Sequence, residues 1–248
     1  MQDNINSIVQ TKDGSHTLFS QKYNQHYHNP DDGAINEALT KHILPTFKYH
    51  ENKEELNILD ICFGIGYNTF TTLFLVKKEK LNKKINIFSP ELDANLVRSL
   101  ENFNFPKEFD EIKHIIKEVA KNKKYEDEDI KIEVNIGDAR EYIKTLEKES
   151  FDIVYQDAFS SEVNTELWTK EYFHDIYKLC KDDSVMSSYS VATPIRLSMN
   201  EAGFYIYEYR PKKRKITLAT KQKKDILGKF IDMDLKKQRN KEAKALYD

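Results

Sequence analysis

The chain has 248 residues, 39% hydrophobic and 32% charged, with 14 Tyr and 14 Phe, which suits one catalytic-size fold with additions and excludes disorder throughout. Its formal charge of −2 hides an asymmetry: residues 210–244 carry fourteen Lys or Arg against four acids, a local +10 that leaves −12 on the rest and suggests a surface for a polyanion. No apolar run nears the roughly 20 residues of a membrane span, and MQDNINSIVQ lacks the parts of a signal peptide, so a soluble, cytoplasmic protein without a membrane partner is expected.

Residues 1–50 read as an N-terminal extension packing on the catalytic domain: a small β unit in SHTLFSQKYNQHYH, then a helix in AINEALTKHILPTF. Residues 51–220 read as that domain. It opens with an apolar strand from Leu56 to Cys62, a turn holding Gly64 and Gly66, and a helix from Tyr67 to Lys78. Strands at 84–91 and 130–138 each lead into a helix, with a helical insertion at 101–128 between them. A fourth strand covers 151–157, a helix follows over TELWTKEYFHDIYKLC, and DSVMSSYS makes a fifth strand. After a short helix ending at Gly203, GFYIYEYR and KITLATK form a hairpin around Pro211 to Arg214. Residues 221–248 read as a basic C-terminal helix. Cys62 and Cys180 lie in apolar segments and are expected in the core, and no metal site is expected.

Strand-helix alternation followed by a hairpin specifies a doubly wound, Rossmann-like α/β sheet with its ligands at the carboxyl ends of the strands. The hairpin favours the seven-stranded class I S-adenosylmethionine (SAM)-dependent methyltransferase version, whose seventh strand inserts antiparallel beside the fifth. The glycine turn agrees with this version. It matches GxG but lacks the third glycine used to approach a pyrophosphate, and SAM has none.

Acidic residues stand at three successive strand tips. Glu91 is placed to accept from ribose hydroxyls, with Asp93 as a possible cap of the next helix. Asp138 suits either the adenine amino group or a helix cap. At the fourth tip, Asp157 followed by Phe159 suits an amine nucleophile: the carboxylate orients the amine and stabilises the cation formed, and the ring stacks a base or shields the sulfonium.

The segment DAFSSEVNTELWTKEYF resembles the D-(A/G)-F-x-P-x-x-N-P-x-x-W-(S/T) segment of the MnmC-type tRNA methyltransferase family. The likeness extends to Asp13-Gly14-Ser15-His16-Thr17, Tyr27-His28 through Glu37, FGIGYN, Ser89-Pro90-Glu91, Gly203-Phe204 and the basic run from Lys212 to Lys215. This chain departs from the pattern in having Ser and Thr165 where the family shows prolines, and RPKKRK where it shows a glycine-containing turn.

The resemblance implies SAM-dependent methylation of the aminomethyl nitrogen of 5-aminomethyl-(2-thio)uridine at the wobble position of the tRNA anticodon loop. It implies Asp157 and Phe159 as active-site residues, and Gly64, Gly66, Asn68, Glu91 and Asp138 as cofactor contacts, with Tyr27 and Glu37 closing the pocket. The family's oxidase domain has no second glycine-rich unit to build it here, so no oxidase activity is expected and separate enzymes supply the amine. Lys212, Lys213, Arg214 and Lys215 are expected on tRNA phosphates. Two alternatives stay open, a spermidine-synthase-like aminopropyltransferase and a non-catalytic tRNA-binding protein.

Overall fold

The residues ahead of the main sheet pair as expected: β1 (Ser7–Gln10), β2 (His16–Ser20) and β3 (Gln25–His26) form a small antiparallel sheet in that order. The structure, a computed structural model, describes residues 7–212, 214–224 and 228–248; the expected phosphate contact Lys213 lies outside the described residues. A helical stretch follows, made of α1 (Ala34–Ala38), a π turn (Leu39–Ile43) and α2 (Leu44–Tyr49). Pro45 accounts for the interruption. It has no N–H to give to the carbonyl of Lys41 four residues back, so the regular ladder opens where Lys41 and His42 stand.

The main sheet has β4 (Glu55–Ile61), β5 (Lys84–Glu91), β6 (Lys124–Glu126), β7 (Ile130–Ile136), β8 (Phe151–Gln156), β9 (Cys180–Ser188), β10 (Tyr205–Tyr209), β11 (Ile216–Thr220) and β12 (Lys229–Phe230). Their order is β12-β10-β11-β9-β8-β4-β5-β7-β6. β7, β5, β4, β8 and β9 run parallel, and β11 lies antiparallel between β9 and β10, the arrangement expected of the terminal hairpin.

Strand periodicity explains why both faces are covered. Leu56, Ile58, Ile153 and Tyr155 enter one core, while the neighbouring Leu59, Ile61 and Val154 enter the other. The first core receives Phe47 of α2, Phe70 of α3 (Tyr67–Lys78), Val97 of α4 (Ala94–Ser99) and Ile116 of α5 (Lys113–Asn122). The second receives Ile143 of α6 (Ala139–Thr145), Phe173 of α7 (Lys170–Leu179), Leu197 of α8 (Thr193–Glu201) and Met233 of α9 (Met233–Arg239). Among the described residues no helix is long and apolar enough to cross a membrane.

Three expectations are corrected. Among the described residues the sheet has nine strands rather than seven, because short strands pair onto both of its edges. The insertion at 101–128 is helical only as far as α5, where Lys123 turns the chain at φ 62° and lays β6 antiparallel on the open edge of β7. Residues 221–248 do not form one helix. Phe230 packs on the ring of Tyr207 at 5.5 Å, Ile231 donates its N–H to the carbonyl of Ile206, and α9 spans seven residues behind the Asp232 cap. Packing the half-buried Phe230 on β10 and burying Met233 in the second core outweighs the helix propensity of the lysines around them. The tail then returns over α6, α7 and α8, where Asp248 accepts from Arg140 and Thr169, and Leu246 accepts from the N–H of Lys170.

Candidate active site at the carboxyl ends of the strands

β4 ends in a turn built from left-handed residues: Cys62 at φ 67°, Gly64 at φ 56° and Gly66 at φ 78°. A Cβ on Gly64 would stand 3.1 Å from the Tyr27 ring, so glycine lets the backbone form part of a cleft wall. Gly66 lies behind that wall rather than on it, starting α3 with its missing Cβ against Phe70 and Phe63. The cleft holds about 850 Å³ and is lined by residues from every tip singled out in the sequence, with Tyr27 and Glu37 from the extension. Cys62 is also on its wall and only half-buried, unlike Cys180, which is in the core as expected. Burial and the charge of Glu91 push the Cys62 thiol well up, which keeps it neutral and a poor nucleophile.

Glu91 reaches the turn directly. One carboxylate oxygen accepts the Gly64 N–H at 2.8 Å and the other the Asp93 N–H at 2.9 Å. Burial still leaves its pKa raised. Asp93 and Asp138 are both helix caps: Asp93 accepts from Asn95 and Leu96, and Asp138 from Arg140 and Glu141. The two bonds to Asp138 fall on Oδ1, and the residue also lines the cleft, so its cap and cofactor readings are compatible.

Asp157 is the centre of a polar network assembled from four elements. Asn68 on α3 donates to its Oδ2 at 2.9 Å, and Nε2 of His42 faces its Oδ1 at 3.5 Å. Burial works to raise the carboxyl pKa, but pairing with His42 and the charge of His28 outweigh it and hold Asp157 below the usual carboxylate range. Asn68 also donates to Asp60 at 3.3 Å, and Thr69 donates to the same carboxyl at 2.8 Å. Glu37 accepts from Lys41 and from the Asn29 N–H, with His28 at 3.5 Å. Against its burial, His28 and Lys41 drive the Glu37 pKa far down.

The opposite wall is aromatic. The ring of Phe159 meets Tyr23 at 5.0 Å and Tyr27 at 5.1 Å between centroids. Gln25 clamps the hairpin to this loop, its Nε2 donating to Ser160 Oγ at 2.7 Å and its Oε1 accepting the Ser160 N–H. The basic hairpin lies at the rim: Arg214 lines the cleft, 56% exposed, and pairs with Asp32 at 3.2 Å. Lys212 donates to Asn36 and Lys215 pairs with Glu208, so these two sit away from the cleft wall.

The profile of an S-adenosyl-L-methionine-dependent methyltransferase family matches residues 106–222. An uncharacterized protein of Methanocaldococcus jannaschii is 32% identical over 86% of this chain and 59% of its own length. The tRNA 5-methylaminomethyl-2-thiouridine biosynthesis bifunctional protein MnmC of Campylobacter jejuni subsp. doylei is 27% identical over 77% of this chain and 32% of its own. This chain therefore spans less than two thirds of the length of these curated relatives. The crystal structure of MnmC2 from Aquifex aeolicus superposes with a TM-score of 0.85 at 29% identity, covering 100% of this chain and 80% of that one. Together these likenesses support an MnmC-type methyltransferase domain here.

Sequence reading assigned no role to four polar residues of this site: His28, which lies inside the segment of likeness, Lys41, His42 and Asp60. The first three come from the extension: packing brings His28 and Lys41 to the cleft wall and sets His42, fully buried, behind Asp157. Asp60 carried a signal, since an acid inside the apolar run LNILDIC must find donors or hold a proton. Burial, reinforced by the charge of Asp157, pushes its carboxyl up to about 8. A carboxyl raised on folding contributes stability that is complete below its unfolded value and is lost as pH rises through about 8. Urea midpoints of wild type minus Asp60→Asn are therefore expected to fall from pH 5 to 8 and level off above. A difference independent of pH would show that Asp60 is ionised throughout.

Proposed function

We propose that this methyltransferase domain methylates the aminomethyl nitrogen of 5-aminomethyl-(2-thio)uridine at the tRNA wobble position, giving 5-methylaminomethyl-(2-thio)uridine. The observation that carries the reading is Asp157: a carboxylate held ionised at the tip of β8, open to an aromatic-walled cleft beside the glycine turn. The likeness to MnmC proteins of tRNA 5-methylaminomethyl-2-thiouridine biosynthesis supports it. When bound, SAM supplies an electrophilic methyl group on a sulfonium. Gly64, Glu91 and Asp138 are placed to hold it, the glycine by close approach and the acids by accepting hydrogen bonds from its ribose and adenine.

Asp157 orients the amine and offsets the positive charge it gains, while Phe159 stacks the extruded uracil. The aromatic hairpin bearing Tyr23 and Tyr27 keeps water from the reacting atoms. Arg214 at the rim, with Lys212, Lys213 and Lys215 beside it in the sequence, takes phosphates of the anticodon loop. The amine precursor comes from a separate enzyme, and the reading assigns methyl transfer alone to these residues.

The test is transfer of labelled methyl from SAM to tRNA from cells lacking the protein, followed by nucleoside mass spectrometry. Labelled methylaminomethyl-uridine is expected, and unlabelled tRNA would overturn the reading. Arg214→Ala is expected to lower the slope of log affinity against log salt by about 1. An unchanged slope would remove Arg214 from the RNA interface.

A further inference from the structure

His42 belongs to none of the sequence motifs, yet it is fully buried behind the residue on which the proposed chemistry turns. It stands on the π turn, the one stretch of the α1–α2 helix where Pro45 has loosened the ladder. Its Nδ1 is fixed 2.9 Å from Ser187 Oγ on β9. Its Nε2 has no hydrogen-bond partner and faces Asp157 Oδ1 at 3.5 Å. Asn68 occupies the other carboxylate oxygen, so Asp157 is held from two sides while 16% of its side chain remains open to the cleft.

Two further observations give this arrangement chemical meaning. An alkyl amine is mostly protonated at neutral pH and cannot attack until it sheds a proton. Asp157, held below the usual carboxylate range, is by itself a weak acceptor for that proton. An imidazole is the side-chain type that gains and loses protons near neutrality.

Resting on the amine-methylation reading, we infer that His42 is a positioning residue that fixes the Asp157 carboxylate toward the substrate amine and, through it, accepts the proton the amine gives up. The ammonium proton passes to the Asp157–His42 pair and leaves the nitrogen lone pair free. The N–C bond then forms as the C–S bond breaks, with the electron pair staying on sulfur. The secondary ammonium and S-adenosylhomocysteine depart, and the imidazolium returns its proton to solvent through Asp157.

The groups facing His42 are Asp157 beyond the end of β8, the Tyr155 ring of β8 at 5.6 Å, and Ser187 of β9. Asp60 at the end of β4 connects through Asn68. On its own segment Lys41 is turned to Glu37, which with His28 completes the charges around Asp157.

The experiment has two arms. In protein with 15N-labelled imidazoles, the His42 resonance, identified by its displacement in Ser187→Ala, is titrated in wild type and in Asp157→Asn. The His42 titration is expected to differ between the two proteins, and identical curves overturn the pairing. In the kinetic arm, His42→Gln is expected to lower kcat about 100-fold at pH 7, with KM for SAM within about threefold, and to move the acidic limb of the kcat profile. A variant with wild-type kcat and an unmoved limb overturns the role. If wild type leaves aminomethyl-uridine tRNA unmethylated, the substrate reading falls, while the titration still decides whether His42 and Asp157 act as a pair.

Discussion

Asp157→Asn is expected to lower methyl transfer by about 10²–10⁴-fold, the range that loss of a general acid–base group costs, with SAM affinity within a few-fold of wild type. The amide keeps the shape and can still accept from Asn68, so the pocket persists while its negative charge disappears. What is lost is the group that orients the amine and offsets its developing cation, both of which act on the transition state more than on the bound cofactor. Single-turnover transfer to tRNA, set beside calorimetric SAM binding, separates the two effects. Full activity in Asp157→Asn would remove the residue from the chemistry, and a parallel loss of SAM binding would make it a cofactor ligand instead.

The second large effect is expected at Gly66, through the fold. Its φ of 78° is a conformation that costs a residue with a side chain on the order of 1–3 kcal/mol. An alanine Cβ there would lie 2.5 Å from Phe70 Cε2 and 2.9 Å from Phe63 Cζ. Neither ring can retreat easily: both are buried, Phe70 meets Phe105 at 5.6 Å, and overpacking of this kind typically adds about 1–3 kcal/mol. Gly66→Ala is therefore expected to destabilise the domain by roughly 2–6 kcal/mol, a large share of the ~5–15 kcal/mol that holds an ordinary domain together. Urea denaturation with and without SAM measures it, and a change below about 0.5 kcal/mol, the level of an ordinary surface substitution, would show that the turn relaxes.

Gly64→Ala should differ in kind. Its Cβ would press on the Tyr27 ring at 3.1 Å, facing the cleft, so it is expected to weaken SAM binding more than folding. The contrast separates the two glycines that one motif presents together: one lines the cleft, and the other holds the backbone behind it.

The strands were legible because burial on both faces leaves largely apolar runs such as Leu56 to Ile61, and the helix after Gly66 begins and ends where the sequence predicts. The tip residues were legible for a related reason: acids directly after apolar strands mark carboxyl ends, and Glu91, Asp138 and Asp157 all reach the cleft. The edge strands were not. β6 and β12, reading KYE and KF, have no period of their own and are strands only because β7 and β10 offer open edges.

What the sequence by itself determined is therefore the doubly wound sheet, the class of cofactor fold, and one acid at each of three strand tips, all properties carried within a few neighbouring residues. Tertiary structure alone decided what surrounds the reacting carboxylate. His42 and Ser187 are 145 residues apart, and Gln25 and Ser160 are 135 apart. No local pattern encodes such pairs. They meet because the extension packs its helical stretch against α3 and β9 and its hairpin against the loop after β8, and burial of apolar surface fixes those positions without regard to separation along the chain.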